Sequence, residues 1–374
     1  ADPSCGARLG RLTTPHGAID TPAFMPVGTQ ATVKAMLPSQ VQAIGFGLIL
    51  ANTYHLAMRP GPELIARHGG LHRFMGWDGA ILTDSGGFQV YSLAKLRDLG
   101  NDGVQFRSHI DGSLHSFTPE GVIGIEEALG SDIAMVLDVC PPSTAGKDEI
   151  ERAMELSTRW AKRCIEARTR GDQAVFGIVQ GGLDLQLRAR HAAEIAAMPF
   201  EGIAIGGLSV GEPPQHMYPV VEATAKMLPA NKPRYLMGVG VPPDLARGAM
   251  AGVDMFDCVF PTRAGRNGLL LTRNGRIVIK HAQYRDDLTP PDPDCDCYTC
   301  THFTRAYLRH LFLAREILAS MLCTAHNLHF YHRLMQEVRA GIGTPKLAEL
   351  AAHLERVYHG EEGDGDVEPG VFER

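Results

Sequence analysis

Val175-Phe-Gly-Ile-Val-Gln180, a helical segment over 183–198, and Ile203-Ala-Ile-Gly-Gly207 spell one strand-helix-strand unit. The two outer runs are short, apolar and closed by a polar or glycine residue. Strands buried on both faces of a parallel sheet look like this. Runs of the same kind recur at Phe24-Met-Pro-Val27, Leu48-Ile-Leu-Ala-Asn52, Ala80-Ile-Leu-Thr-Asp84, Ile133-Ala-Met-Val-Leu-Asp138, Arg234-Tyr-Leu-Met-Gly238 and Met255-Phe-Asp-Cys-Val259. The intervals between them are long enough for crossover helices, for example over 148–168 and 217–228. Eight such units in 374 residues predict an α/β fold, a (β/α)8 TIM barrel. That fold carries its chemistry at the C-terminal ends of the strands, which nominates Asn52, Asp84, Asp138, Gln180, Gly207, Gly238 and Asp257. Three carboxylates around one mouth are hard to justify by stability, because unpaired acids repel and cost desolvation. The competing reading is that they only cap the following helices.

Two departures from a plain barrel are visible. Residues 103–118 alternate about Asp111-Gly112, the signal of a hairpin inserted beside the mouth. After the eighth strand come a basic stretch, the Pro-rich linker Thr289-Pro-Pro-Asp-Pro293, a cysteine cluster, and helices expected over about 303–322 and 324–342. The expected organisation is a barrel over 1–280, a metal-binding helical unit over 281–358, and an acidic, glycine-rich, frayed tail over 359–374.

The cluster is Cys295-Asp-Cys297-Tyr-Thr-Cys300, three thiols able to converge on one ion. Tetrahedral zinc needs a fourth nitrogen or sulfur ligand, and His302, His310, Cys323, His326, His329 and His332 follow. His326 is favoured, because Thr324 reads as an N-cap that puts it in the first turn of a helix facing back across the preceding one. Cys323 is the main rival, and His302 lies too close to Cys300. A disulfide framework is disfavoured, since a Cys-x-Cys bridge is strained and the other cysteines are scattered singly.

With 44% hydrophobic residues the chain can bury a large core. No apolar run approaches the roughly 20 residues of a membrane helix, and the cysteines show no paired secretory spacing. A reducing cytoplasm and no membrane partner are expected. The chain begins with Ala rather than Met, which leaves room for a short preceding leader. A net charge of −6 excludes coating nucleic acid by bulk charge, yet Cys258 to Arg285 holds no acid while Arg263, Arg266, Arg273, Arg276, Lys280 and Arg285 supply cations. That stretch reads as a solvated face or as a phosphate-binding surface.

A purine base in the mouth would be well served. Guanine offers N1-H and N2-H2 as adjacent donors, which Asp138 can accept bidentately, and O6 as an acceptor, which Gln180 and the Gly207 N–H can answer. Phe88 and Met237 can hold the ring from its two faces. Breaking the glycosidic bond creates an oxocarbenium-like centre that a carboxylate can trap, with Asp257 and Asp84 as candidates. The residues alone do not say which is nucleophile and which exchanges protons.

Thr83-Asp-Ser-Gly-Gly-Phe-Gln-Val90, Gly206-Gly-Leu-Ser-Val-Gly-Glu212, Tyr235-Leu-Met-Gly-Val-Gly240 and Met255-Phe-Asp-Cys-Val-Phe-Pro-Thr-Arg-Ala-Gly-Arg-Asn-Gly268 closely resemble the tRNA-guanine transglycosylase family, with the cysteine cluster and distant histidine as a fifth match in order. The likeness runs from about Gly10 to the last helices. It implies exchange of the wobble guanine of G-U-N anticodon tRNAs (Asp, Asn, His, Tyr) for a 7-deazaguanine. It makes Asp257 the nucleophile and Asp84 the general acid/base. It makes Ser85, Gly86, Gly87, Phe88, Asp138, Cys140, Gln180, Gly207, Leu208 and Met237 the substrate-binding set. Gly238, Val239, Gly240, Val241, Pro242, Pro243, Asp244, Thr262, Arg263, Ala264, Gly265 and Arg266 match its anticodon-loop contacts, and Cys295, Cys297, Cys300 and His326 its single structural zinc. Phe88 stands where some members have tyrosine, which keeps stacking but no hydroxyl contact. Val241 replaces a lysine of some relatives. Cys140 and Val210 resemble the bacterial branch, which uses preQ1 and forms homodimers. Two other readings stand beside this one. A metal-dependent barrel hydrolase fits poorly, because strand one has no histidine pair, and a non-catalytic RNA-binding protein has no need of Asp84 and Asp257.

Overall fold

The computed structural model describes residues 2–93 and 97–359. Eight strands form one parallel sheet: β1 (Ala23–Met25), β2 (Leu48–Asn52), β3 (Ala80–Asp84), β4 (Ile133–Met135), β5 (Ala174–Val179), β6 (Gly202–Ile205), β7 (Arg234–Leu236) and β8 (Met255–Asp257). Their order is β1-β8-β7-β6-β5-β4-β3-β2, and a parallel bridge between Val27 and Leu50 closes the ring. The expected barrel is present. β2 and β3 have the bounds expected of them, whereas β4, β6, β7 and β8 end two or three residues earlier than their apolar runs. The chain leaves the sheet there to turn functional side chains into the mouth, and Gly207 and Gly238 sit at φ 63° and 70° where it bends away. A two-stranded hairpin, Gly10–Thr14 with Gly17–Thr21, precedes the barrel and was not anticipated.

Helices cover the outside as the crossover rule requires. Those that bear on the site are α1 (Thr53–Met58), α2 (Pro119–Leu129), α3 (Lys147–Ala167), α4 (Leu185–Ala196), α5 (Pro214–Met227), α6 (Pro242–Met250) and α7 (Phe260–Arg266). The insertion after β3 is an antiparallel sheet of Arg97–Gly100, Gly103–Arg107 and Leu114–Phe117, one strand more than the hairpin expected. Its inward Phe106 and Phe117 are buried against Tyr54 of α1.

The C-terminal part carries α8 (Arg305–Leu313), α9 (Ile317–Gly341) and α10 (Lys346–His359). The expected break between helices at Cys323 is wrong. The chain turns at Arg315, at φ 58°, and from Glu316 at the N-cap position a helix runs unbroken through Thr324. His326 therefore lies in the interior of α9 and not in a first turn. Leu328, Tyr331, Leu334 and Val338 of α9 and Leu350 and Leu354 of α10 join the barrel's own core. Burying each such side chain contributes about 1.5–3 kcal/mol. A second cluster, with Leu270, Ile279, Leu308, Leu311, Leu322 and Cys323, lies under the cysteine-bearing loop. The tail expected over 359–374 falls, from 360 onward, outside the described residues. No helix among the described residues is long and apolar enough to cross a membrane.

Candidate active site and metal centre

The register of β2 on β3 pairs Asn52 with Asp84, so both point from the strand ends at one level. Asn52 Nδ2 donates to Asp84 Oδ2 at 2.7 Å, and the Thr53 N–H donates to Oδ1 at 3.3 Å. The other end of the Asn52 amide caps α1 by accepting the His55 N–H at 3.0 Å. Across the mouth, Asp257 Oδ1 accepts the Tyr235 hydroxyl at 2.6 Å and the Gly238 N–H at 2.7 Å. Burial raises the pKa of both acids. Asp84 is pushed up to about 7, by burial first and then by the negative charge of Asp257, against the donors on Asn52, Thr53 and Gly86. Burial raises Asp257 as well, and Tyr235 and Gly238 offset part of that rise. Two acids in one mouth are thus made unequal, the arrangement that separates a proton carrier from an ionised nucleophile.

Asp138 and Gln180 meet beside them, with Gln180 Nε2 donating to Asp138 Oδ2 at 2.6 Å. Burial pushes the Asp138 carboxyl up to about 6 in spite of that bond. Gln180 Oε1 is buried without a partner. A Cβ on Gly207 would stand 2.1 Å from that oxygen, so the glycine is required for the close approach. Arg188 of α4, wholly buried, donates to Gly182 O at 2.8 Å and Gly206 O at 2.9 Å and fixes the loop from behind. Ser85, Leu208 and Cys140 are buried here, and burial pushes the Cys140 thiol up to about 12, which keeps it neutral. A Cβ on Gly87 would come within 2.6 Å of the Asp138 carbonyl, and one on Gly86 within 2.6 Å of Tyr54 Cβ, so that loop lies tightly on the site. Met237 is half-buried, while Phe88 is 44% exposed and open to a stacking partner. Asp84, Asp138, Gln180, Gly207, Asp257 and their neighbours are brought together as the sequence implied.

The two segments matched to anticodon-loop contacts begin α6 and form α7. Gly238, Val241, Arg263 and Arg266 are accessible, whereas Val239, Gly240, Pro242, Pro243, Asp244, Thr262, Ala264 and Gly265 are buried. Asp244 accepts the Tyr218 hydroxyl at 2.7 Å and the Val241 N–H at 3.3 Å, which caps α6 and leaves the acid facing inward. The basic stretch divides. Arg273 pairs with Glu337, and Arg276 donates to Tyr358 O at 3.0 Å, so both serve the C-terminal helices. Arg263 and Arg266 instead lie near Lys34, whose ammonium is made more acidic by burial and then by the two guanidiniums. Arg266 Nη1 is buried without a partner. Lys34 was missed in the sequence because it stands alone between apolar residues and joins the arginines only across the closed ring.

Cys295, Cys297 and Cys300 place their sulfurs 3.7, 3.5 and 3.2 Å from His326 Nδ1. Sulfur and nitrogen ligands of one tetrahedral zinc stand about 3.5 Å apart. His326 Nε2 is 3.1 Å from the Leu271 carbonyl; that bond takes the ring N–H and leaves the Nδ1 lone pair facing the sulfurs. The buried Cys3His group fits a structural metal site with its coordination closed, and its donors suit zinc. Cys323 belongs to the second core cluster and His329 bonds Asp296, so neither rival completes the set. His16, His72 and Asp132 also lie within ligand distance of one another. There the two imidazoles stack with centroids 3.5 Å apart and planes 14° from parallel, so both lone pairs cannot aim in-plane at one ion. They bond Asp132 instead, at 2.8 and 3.2 Å.

These features define a (β/α)8 barrel with buried carboxylates gathered at its mouth and a Cys3His group that fits a structural metal site. A family model described as queuine tRNA-ribosyltransferase matches residues 2–360. The queuine tRNA-ribosyltransferase of Pelotomaculum thermopropionicum is 56% identical over 360 residues, 96% of this chain and 97% of its own. Those of Moorella thermoacetica and Caldanaerobacter subterraneus subsp. tengcongensis are 56% identical over 358 and 355 residues, covering 96% and 95% of both chains. The chain belongs to the queuine tRNA-ribosyltransferase family.

Proposed function

We propose that the chain is a tRNA-guanine transglycosylase that exchanges the wobble guanine of G-U-N anticodon tRNAs for preQ1. The observation that carries the reading is the unequal pair at the mouth: Asp257 with two donors on its anion, and Asp84 pushed up to about 7. Asp257 attacks ribose C1' as the bond to the base breaks, and the resulting ester is the covalent intermediate. Asp84 gives a proton to the departing guanine and takes one from the incoming base. Asp138 accepts from the Watson–Crick edge, Gln180 and Gly207 answer O6, and Phe88 and Met237 flank the ring. The target nucleotide must be flipped from its loop to reach this depth. Gly238, Val241, Arg263 and Arg266 meet the flanking nucleotides, while their buried neighbours shape the surface.

Zinc is the ion for the Cys3His site; it ties the cysteine loop to α9 and takes no part in bond breaking. A homodimer is the assembly, and the exposed Tyr298, Tyr307, Leu313, Ile317 and Leu318 on the metal-bearing unit support it. The compartment is the cytoplasm, where tRNA and reduced thiols coexist. Incubation with unmodified tRNA and labelled guanine tests the whole reading. Label must enter tRNAs with G-U-N anticodons and no others; no incorporation into any of them refutes it.

A further inference from the structure

Glu126 of α2 is wholly buried directly behind the Asp84 strand, and nothing in the chemistry above uses it. Its Oε1 accepts the Met135 N–H at 3.2 Å. Its Oε2 is buried with no partner, and so is the Thr53 hydroxyl, which faces it. Thr83, just before Asp84, also faces Glu126 and shares a hydrogen bond of 2.7 Å with Ser131. No lysine or arginine of the described residues pairs with Glu126, and an ionised carboxylate in this place would be desolvated and repelled by Asp84. As a neutral acid it has a proton to donate to Thr53 Oγ1. With Gly86, Thr53 and Asn52 hold the oxygens of Asp84, Thr53 through its backbone N–H at 3.3 Å and Asn52 through its side-chain amide at 2.7 Å.

We propose that Glu126 is a positioning residue for Asp84, a buried neutral acid whose unpartnered Oε2 and the unpartnered Thr53 hydroxyl satisfy one another once the acid carries its proton, thereby fixing the Asn52-Thr53 grip on the proton-carrying carboxyl. The inference rests on the assignment of Asp84 as general acid/base. Burial first raises the Glu126 pKa well above the ordinary range, with Asp84 adding to it. The other titratable group facing Glu126 is Cys164 of α3, and Asp257 and Tyr235 face Asp84.

The test compares Thr53→Val, Glu126→Gln and Glu126→Leu by melting temperature, metal content and the pH dependence of kcat and KM for guanine exchange. Thr53→Val is isosteric and keeps the backbone N–H. It should fold, leave KM within about twofold, and lower kcat on the order of tenfold. Its alkaline limb should move to higher pH, because a looser grip on the anion raises the pKa of Asp84. Glu126→Leu should behave the same way, and Glu126→Gln, which still offers an N–H, should restore the wild-type limb. Folded Thr53→Val with a wild-type profile overturns the proposal, as does a Glu126→Gln profile displaced as far as that of Glu126→Leu. A wild type without exchange activity sinks the functional reading and this one with it, whereas an active wild type with an unmoved Thr53→Val sinks this one alone.

Discussion

Asn52 spends one end of its amide on Asp84, at 2.7 Å, and the other on the first turn of α1, at 3.0 Å. The acid is thereby tied to a helix start, which holds its oxygens in place. Asn52→Ala should lower kcat on the order of tenfold with little change in KM for tRNA, measured by steady-state guanine exchange. An unchanged kcat would show that Asp84 needs no such hold.

The raised pKa of Asp84 has a thermodynamic signature. Below about pH 4 the carboxyl is protonated in both folded and unfolded chains and costs nothing. Between pH 4 and 7 the unfolded chain releases its proton first, so folding loses stability, and above about 7 the full penalty is present. Asp84→Asn lacks a titrating group there. Its melting temperature relative to wild type should rise from pH 4 to pH 8 by about a few degrees while exchange is lost. A pH-independent difference in melting temperature contradicts the raised pKa.

Tyr235 stabilises the ionised form of Asp257. Tyr235→Phe should therefore raise the acid limb of the rate profile by about one pH unit, the loss expected for one hydrogen bond to a charged group. Asp257→Ala should form no covalent RNA adduct on a denaturing gel. An adduct that persists in that variant would place the nucleophile elsewhere.

Arg266 brings a half-buried guanidinium with a free nitrogen to the rim beside Lys34. Arg266→Ala should weaken tRNA binding and flatten the slope of log affinity against log salt by about one. Arg273→Ala should leave that slope alone, since Arg273 is engaged with Glu337. Equal slopes for the two variants would argue against a divided basic stretch.

Cys297→Ser should lose the bound metal, counted by elemental analysis, and melt on the order of 5–10 °C lower. Full metal occupancy in that variant would remove Cys297 from the ligand set.

The barrel was legible because eight apolar runs announce buried strands whatever their neighbours, and β2 and β3 matched to the residue. The ends of the other strands were less so. Backbone departure at Gly207 and Gly238 depends on what must face the mouth, and apolar content does not record it. His326 was chosen correctly on an incorrect premise, since α9 runs through Thr324 and presents the ring from mid-helix. The grip of Asn52 on Asp84 depends on the register between two strands, and the Glu126 contact on a helix packed behind them; neither distance exists along the chain. Asp84, Asp138 and Asp257 were visible because three unpaired acids at strand ends around one mouth are costly to bury.

A Cβ at Gly265 would meet the backbone of Thr324 at 2.8 Å, so the helix bearing Arg263 and Arg266 lies almost bare against the helix bearing His326. One position after that histidine, Asn327 reaches the carbonyls of Pro261 at 3.0 Å and Leu269 at 2.9 Å. An ion held by the Cys3His group would therefore act as a surveyor's mark for α7 and the two arginines it carries. Loosening the cysteine loop would let α7 drift, and Arg263 and Arg266 would shift relative to acids that had themselves not moved.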